Sequence, residues 1–269
     1  MERIITAIKE AQSLWKIILC IYAFQFILAS TIGLQMMQVL DASLGNSLSL
    51  EKLESGFDYT VFTDFVNVHG GSFSVLYGQM RWMVLTYLIF ASLISTGIIY
   101  CLIHKSSQIS DFFKGSLQMF FKLFIVDVVF AILILAIMAI SFALTGMLFG
   151  IAPTSFDTEL VFLRWTLLIS IIALLLIFVL TLWKIRIKFN YIKSDQRIFN
   201  SIGSGFKSFW ASKWRYIAYT FFFLIISLIL ITMNYAAGDL PLFPMIILIQ
   251  FIALIKVFWR IVFYKVIGT

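Results

Sequence analysis

Residues 121–149 read FKLFIVDVVFAILILAIMAISFALTGMLF, a run with one acid, Asp127, one cation, Lys122, and no proline. A bilayer core about 30 Å thick is crossed by roughly 20 mostly apolar helical residues, whereas an open strand there leaves its N–H and C=O groups unpaired in hydrocarbon. The segment therefore reads as a transmembrane helix. Working outward, five more runs qualify, at about residues 14–40, 82–103, 162–183, 216–233 and 242–263, the last interrupted by Lys256 and Arg260. The whole chain of 269 residues is 62% apolar and 12% charged, with a mean hydropathy of +1.02. A soluble domain is about half apolar and about a quarter charged, so this chain has too few polar residues to cover itself in water. The fold class expected is all-α, a polytopic bundle of six transmembrane helices.

A secretory signal peptide is the competing reading of the first run, because Arg3, Lys9 and Lys16 precede it. Its apolar stretch outlasts a signal core, and no small-residue cleavage pattern closes it. It is read as a retained span.

The net charge of +7 is distributed unevenly. On one side of the six spans fall the N-terminus, the linkers near 104–121 and 184–215 and the C-terminal end, with 17 Lys and Arg against four acids; the other side carries three cations and eight acids. Positive loops stay cytoplasmic. Both termini are therefore expected in the cytoplasm, in a multi-pass protein of the bacterial inner membrane. Cys20 and Cys101 fall inside spans and read as small apolar packing residues rather than a disulfide.

Before each outward-going span lies a short segment with helical apolar spacing and cations, at 4–16, 112–122 and 202–214. Each ends on an aromatic beside a Lys. These read as interfacial amphipathic elbow helices, with aromatics at headgroup level and lysines reaching back to phosphate. Lys16, Lys122, Lys213, Arg215, Trp15 and Trp214 are the expected contacts to anionic lipid headgroups on the cytoplasmic face. Elbow, span, outer loop and returning span then repeat three times as pseudo-repeated hairpins, over about 1–104, 105–188 and 189–269 of a single transmembrane domain. With Gly115 and Gly203 near the small-residue positions of the elbows, this pattern resembles poorly characterised bacterial six-span families, among them the membrane domain attached to some glycerophosphoryl diester phosphodiesterases. The catalytic part of those enzymes is a separate soluble barrel, so the resemblance implies a membrane scaffold and carries over no catalytic residue.

The outer loop at about 41–81 is the one sizeable extramembrane segment, and two short helices are expected in it, at 46–53 and 58–68, the second ended by His69-Gly70-Gly71. Asp58, Asp64 and His69, with Glu54, form a candidate outer-face site for a cation or cationic headgroup. The plainer reading is a helix with acids in its first turn and a His near its end, both favoured by the helix dipole. One His without an outer Cys is a poor zinc site, so no metal and no cofactor are expected.

Asp127 is the lone acid inside a span, where a carboxylate is costly and takes a partner. Lys256, at a similar depth on the sixth span and followed one turn on by Arg260, is the expected partner, either in a structural ion pair or in proton or ion coupling. Ser30, Thr31, Gln35 and Gln38 on the first span, and Ser92, Ser95 and Thr96 on the second, are polar stripes suited to helix packing or to a hydrated cavity. The 184–215 linker carries eight cations and one acid among aromatics, which fits a headgroup belt better than nucleic acid. P-loop, zinc-protease, nucleophile-elbow and C-x-x-C motifs are absent from the sequence.

The function expected is that of a non-enzymatic membrane protein, a transport component or lipid-handling accessory. Three alternatives remain open: a permease subunit of an ABC-type exporter, a scaffold subunit partnered within a larger envelope or secretion complex, and an intramembrane lipid-modifying enzyme using Asp64 and His69.

Overall fold

The computed structural model describes residues 2–44, 59–155, 159–194, 198–239 and 241–268. Among the described residues every regular element is helical: α1 (Glu2–Ser13), α2 (Trp15–Leu44), α3 (Tyr59–His104), α4 (Ile109–Ser155), α5 (Glu159–Ser194), α6 (Ile198–Ala211), α7 (Lys213–Ala236), a 3-10 turn at Ala237–Asp239, and α8 (Leu242–Gly268). Six of them are long and apolar enough to cross a membrane, with candidate spans at Trp15–Gln35, Arg81–His104, Ile109–Leu148, Leu163–Ser194, Trp214–Ala236 and Phe243–Gly268. This is a multi-pass membrane protein.

The contacts divide the chain into two units, one of Leu19–Ala91 and one of Met1–Ile18 with Ser92–Thr269. In the first, α2 and α3 meet through Phe24 and Phe90, whose rings stack with centroids 4.1 Å apart. Of the short helix expected at 58–68, residues 59–68 are here part of the 46-residue α3, which passes through Gly70 and Gly71 without stopping. No described glycine has a positive φ, so the left-handed cap expected after His69 does not form. Glycine costs a helix interior only about 1 kcal/mol relative to alanine. Breaking the ladder would leave carbonyls unpaired, and nothing after Gly71 supplies a competing turn. The other expected helix, at 46–53, lies outside the described residues.

In the second unit α5 is the central element, packed against α4, α6 and α8, while α8 also meets α1 and α7. Its core is built on Val126, Phe130 and Ile187, with Leu180, Trp183 and Ile202 against them. Phe130 and Trp183 meet edge to face at 5.4 Å, a favoured geometry for aromatic pairs. Burial is concentrated at one end of these helices: Leu123, Val126 and Phe130 on α4, Leu182 to Ile192 on α5, Val257 to Ile267 on α8. The opposite halves expose Ile132, Leu135, Ile140 and Phe142 on α4 and Leu167, Ile171, Leu174 and Leu175 on α5. These are residues that hydrocarbon solvates without penalty.

Two junctions are built alike. Between α1 and α2, Leu14 N–H donates to Ala11 O at 3.1 Å and Ile17 N–H to Leu14 O at 2.9 Å. Between α6 and α7, Ser212 N–H donates to Phe209 O at 3.2 Å and Arg215 N–H to Ser212 O at 3.0 Å. One residue breaks each helix while tightened i→i+3 bonds keep the backbone paired. The corresponding segment at 112–122 has no such break and is continuous with α4.

The connection from α3 to α4 is short. Lys105 adopts φ 52°, and Ser106 N–H donates to Cys101 O at 3.2 Å, the six-to-one bond of a Schellman cap with lysine in the usual glycine position. Ser106 Oγ donates to Asp111 Oδ2 at 2.5 Å and accepts from Gln108 N–H at 3.3 Å, fixing the first turn of α4. The two helices then run close together. A Cβ added at Gly97 would strike Ser116 and the Phe112 ring, and one at Gly115 would strike the Tyr100 ring. Gly115→Ala is expected to destabilise the fold by about 1–3 kcal/mol by overpacking. Gly203, with open space around its Cβ direction, should accept alanine with a gain of up to about 1 kcal/mol. Denaturant titration of both variants in the same detergent checks the contrast.

Candidate functional site: a buried charge centre and a cationic cleft

The first constellation joins three helices. Lys184 and Lys188 stand four residues apart, on one face of α5. That face meets Asp127 of α4: Lys188 Nζ donates to Asp127 Oδ2 at 2.5 Å, and Lys184 Nζ lies 3.5 Å from Oδ1. Lys188 Nζ also donates to Ser95 Oγ of α3 at 2.6 Å, and Ser95 Oγ donates to Ser92 O at 3.0 Å. Lys188 is 1% exposed and Asp127 8%. Ser92 and Thr96, on the same face of α3 as Ser95, are buried with hydroxyls that have no protein partner. One carboxylate against two ammonium groups makes the centre a hydrogen-bonded tie between α3, α4 and α5.

Asp127 thus has a partner inside the bundle, as a carboxylate in a span requires, but the partner is not Lys256. The expected pair is replaced because α5 continues as a helix past Trp183 to Ser194, carrying Lys184 and Lys188 alongside α4. Lys256 is exposed and lies elsewhere, on α8.

Arg186, two residues from each lysine, faces the other way. Its Nη1 donates to Ile267 O and Gly268 O, both at 3.0 Å, and its Nη2 donates to Ser208 Oγ of α6. The guanidinium carbon sits 5.4 Å from the centre of the Tyr216 ring on α7. A cation on the last carbonyls of a helix satisfies groups that have no partner within it and complements the negative end of the dipole. One side chain of α5 therefore fastens α6, α7 and α8. A second tie, Lys265 Nζ to Glu10 Oε2 at 2.5 Å, joins α8 to α1.

The second constellation is an open cleft of about 530 Å³ bounded by α5, α7 and α8. Its walls are mostly apolar, with Phe178, Phe223, Leu230 and Trp259, and its charged members are Lys256 and Arg260. Among the described residues no carboxylate lines it.

The remaining expected residues are dispersed. Trp15, Lys16, Lys122, Trp214 and Arg215 are exposed, with Lys16 Nζ 5.8 Å from the Trp15 ring centre and Lys122 Nζ 6.0 Å from that of Tyr191. The Lys213 side chain and Asp58 lie outside the described residues, as do the side chains of Asp64 and His69. In the uninterrupted helix α3, positions 64 and 69 are about 140° apart around the axis, so its register does not bring the two together. No group of three or more His, Cys, Asp or Glu that could hold a metal occurs among the described residues. Arg186 was not singled out by the sequence. Its signal was present in Lys184-Ile185-Arg186-Ile187-Lys188, three cations among apolar residues, which on a helix divide into two opposed faces.

Compared with known proteins, the chain matches no family model, no curated protein and no solved structure.

Proposed function

We propose that this is a non-enzymatic, lipid-handling protein of the bacterial inner membrane, acting as a transport component or an accessory subunit, with both termini in the cytoplasm. The observation that carries the reading is the cleft between α5, α7 and α8, apolar along its walls and open at the side. In a membrane such a cleft fills with whatever amphiphile fits it. Support comes also from the short helices: α1 leads to an exposed Trp15, and α6 exposes Phe206 and Trp210, which suits elbow helices lying in the interface and touching headgroups with Lys16, Lys213 and Arg215. On this reading the pseudo-repeated hairpins, and the likeness to the membrane domain of the phosphodiesterases, describe a scaffold for holding lipid rather than an active site.

The test is lipid retention. Protein purified in mild detergent and measured by native mass spectrometry is expected to carry about one lipid through washing that strips ordinary boundary lipid. Complete delipidation under those conditions would refute the reading. Reporter fusions at residues 60 and 200 are expected on opposite sides of the membrane, and the same side for both would defeat the topology.

A further inference from the structure

The cleft has a direction and a charge, and together they select its occupant. Resting on the lipid-handling reading above, we infer that it is a site for one anionic phospholipid, with the phosphate seated on Lys256 and Arg260 and an acyl chain running along α7 toward Ile231. Lys256 and Arg260 are one turn apart on α8 and both line the cleft. Among the described residues neither forms an ion pair or a hydrogen bond, whereas Lys184, Lys188, Arg186 and Lys265 each have protein partners. A cation within a membrane span is costly without a counter-charge. No residue of the cleft supplies one.

The register of the two helices orients the ligand. Phe223 of α7 packs on Trp259 at 5.8 Å and on Phe263 at 4.9 Å, which sets Arg260 near the Thr220–Leu224 turn and Lys256 about one turn farther along. Beyond them on α7 the lining is Leu230 and Ile231, and Phe178 adds a ring from α5. Thr220 and Ser227 add no free donor, because their hydroxyls donate to Tyr216 O at 2.6 Å and Phe223 O at 2.9 Å. The head is therefore recognised by charge, with Arg260 able to take phosphate through two N–H groups. From Thr220 to Ile231 the cleft runs about 16 Å along α7, of which roughly 10 Å lies beyond the turn beside Arg260. That leaves apolar wall for the first part of an acyl chain, a stretch that a free phosphate would leave empty.

The experiment measures lipid retention by full-length protein in mixed micelles of phosphatidylglycerol and phosphatidylcholine. The wild-type protein is expected to keep phosphatidylglycerol over phosphatidylcholine by about tenfold or more, given the attraction typical of two cations at a membrane. Lys256→Gln with Arg260→Gln should bring the ratio near unity, while the charge-keeping pair Lys256→Arg with Arg260→Lys retains most of it. Removing two cations elsewhere, in Arg81→Gln with Arg164→Gln, should leave the ratio unchanged. Retention of lipid without headgroup preference overturns this inference and leaves the lipid-handling reading standing; retention of no lipid overturns that reading itself. Displacement of phosphatidylglycerol by millimolar inorganic phosphate would assign the cations to a soluble anion and overturn the inference. So would a double variant that folds, by circular dichroism, with its selectivity intact.

Discussion

Asp127→Ala is expected to cost about 3–5 kcal/mol of stability, the range seen when one partner of a buried ion pair is removed and the other stays behind. Among the described residues the carboxylate is the only acid within ion-pair distance of Lys188, whose ammonium is sealed between α3, α4 and α5. Without it, Ser95 remains as an acceptor, and a hydroxyl cannot balance a charge. Lys184→Ala should be much milder, under about 1 kcal/mol, because that side chain is 27% exposed and stands at the longer distance of 3.5 Å. Asp127→Leu combined with Lys188→Met should regain most of the loss, since apolar groups of similar size replace a buried pair at little or no net cost. Unfolding in a graded mixture of mild and denaturing detergent reads all four proteins. If Asp127→Ala alone is as stable as the parent, the centre is not the tie between helices described here.

Arg186→Ala is the second large effect, expected at about 3 kcal/mol, from the loss of charge-assisted hydrogen bonds worth roughly 1.5–3 kcal/mol and a cation–π contact worth about 0.5–1 kcal/mol. The loss falls on three helices at once. The last carbonyls of α8 lose their donor, Ser208 of α6 loses its partner, and Tyr216 of α7 loses its cation. Arg186→Lys should recover less than half, because a single ammonium cannot span two carbonyls and a hydroxyl in the planar arrangement of a guanidinium. Hydrogen exchange at Val266 and Ile267 localises the effect. Faster exchange there in Arg186→Ala, with α4 unaffected, is the expected result, and uniform loosening of all helices would contradict a local clamp.

The parts of this structure that were legible in the sequence are those governed by the solvent. Six long apolar helices follow from composition and length, but aromatic-Lys pairs do not by themselves mark a helix end: breaks at Leu14 and Ser212 precede two of them, and α4 runs through the third, Phe121-Lys122, without one. What escaped was the extent of helix beyond the apolar core. Hydropathy marks where hydrocarbon begins, not where hydrogen bonding stops, so α5 passes Trp183 and carries three cations into protein contacts. Hydropathy therefore assigns Lys184 and Lys188 to a polar linker and Lys256 to a span, which points Asp127 to the wrong partner. Gly70-Gly71 misled in the opposite sense, since a glycine pair permits a turn without compelling one. Gly115 stands at a close helix approach while Gly203 has open space, a difference that depends on Tyr100 and that spacing along a single segment cannot reveal.

The uneven distribution of burial along α4 and α5 has a mechanical corollary. The charge centre, the Arg186 clamp and the Phe130–Trp183 contact all lie toward the end of these helices where the buried residues cluster, and the residues of their far halves touch little protein. Among the described residues no ion pair joins the far halves, which the chain itself links between Ser155 and Glu159, so the two helices resemble a hairpin knotted at its base, its shafts wetted by hydrocarbon instead of protein.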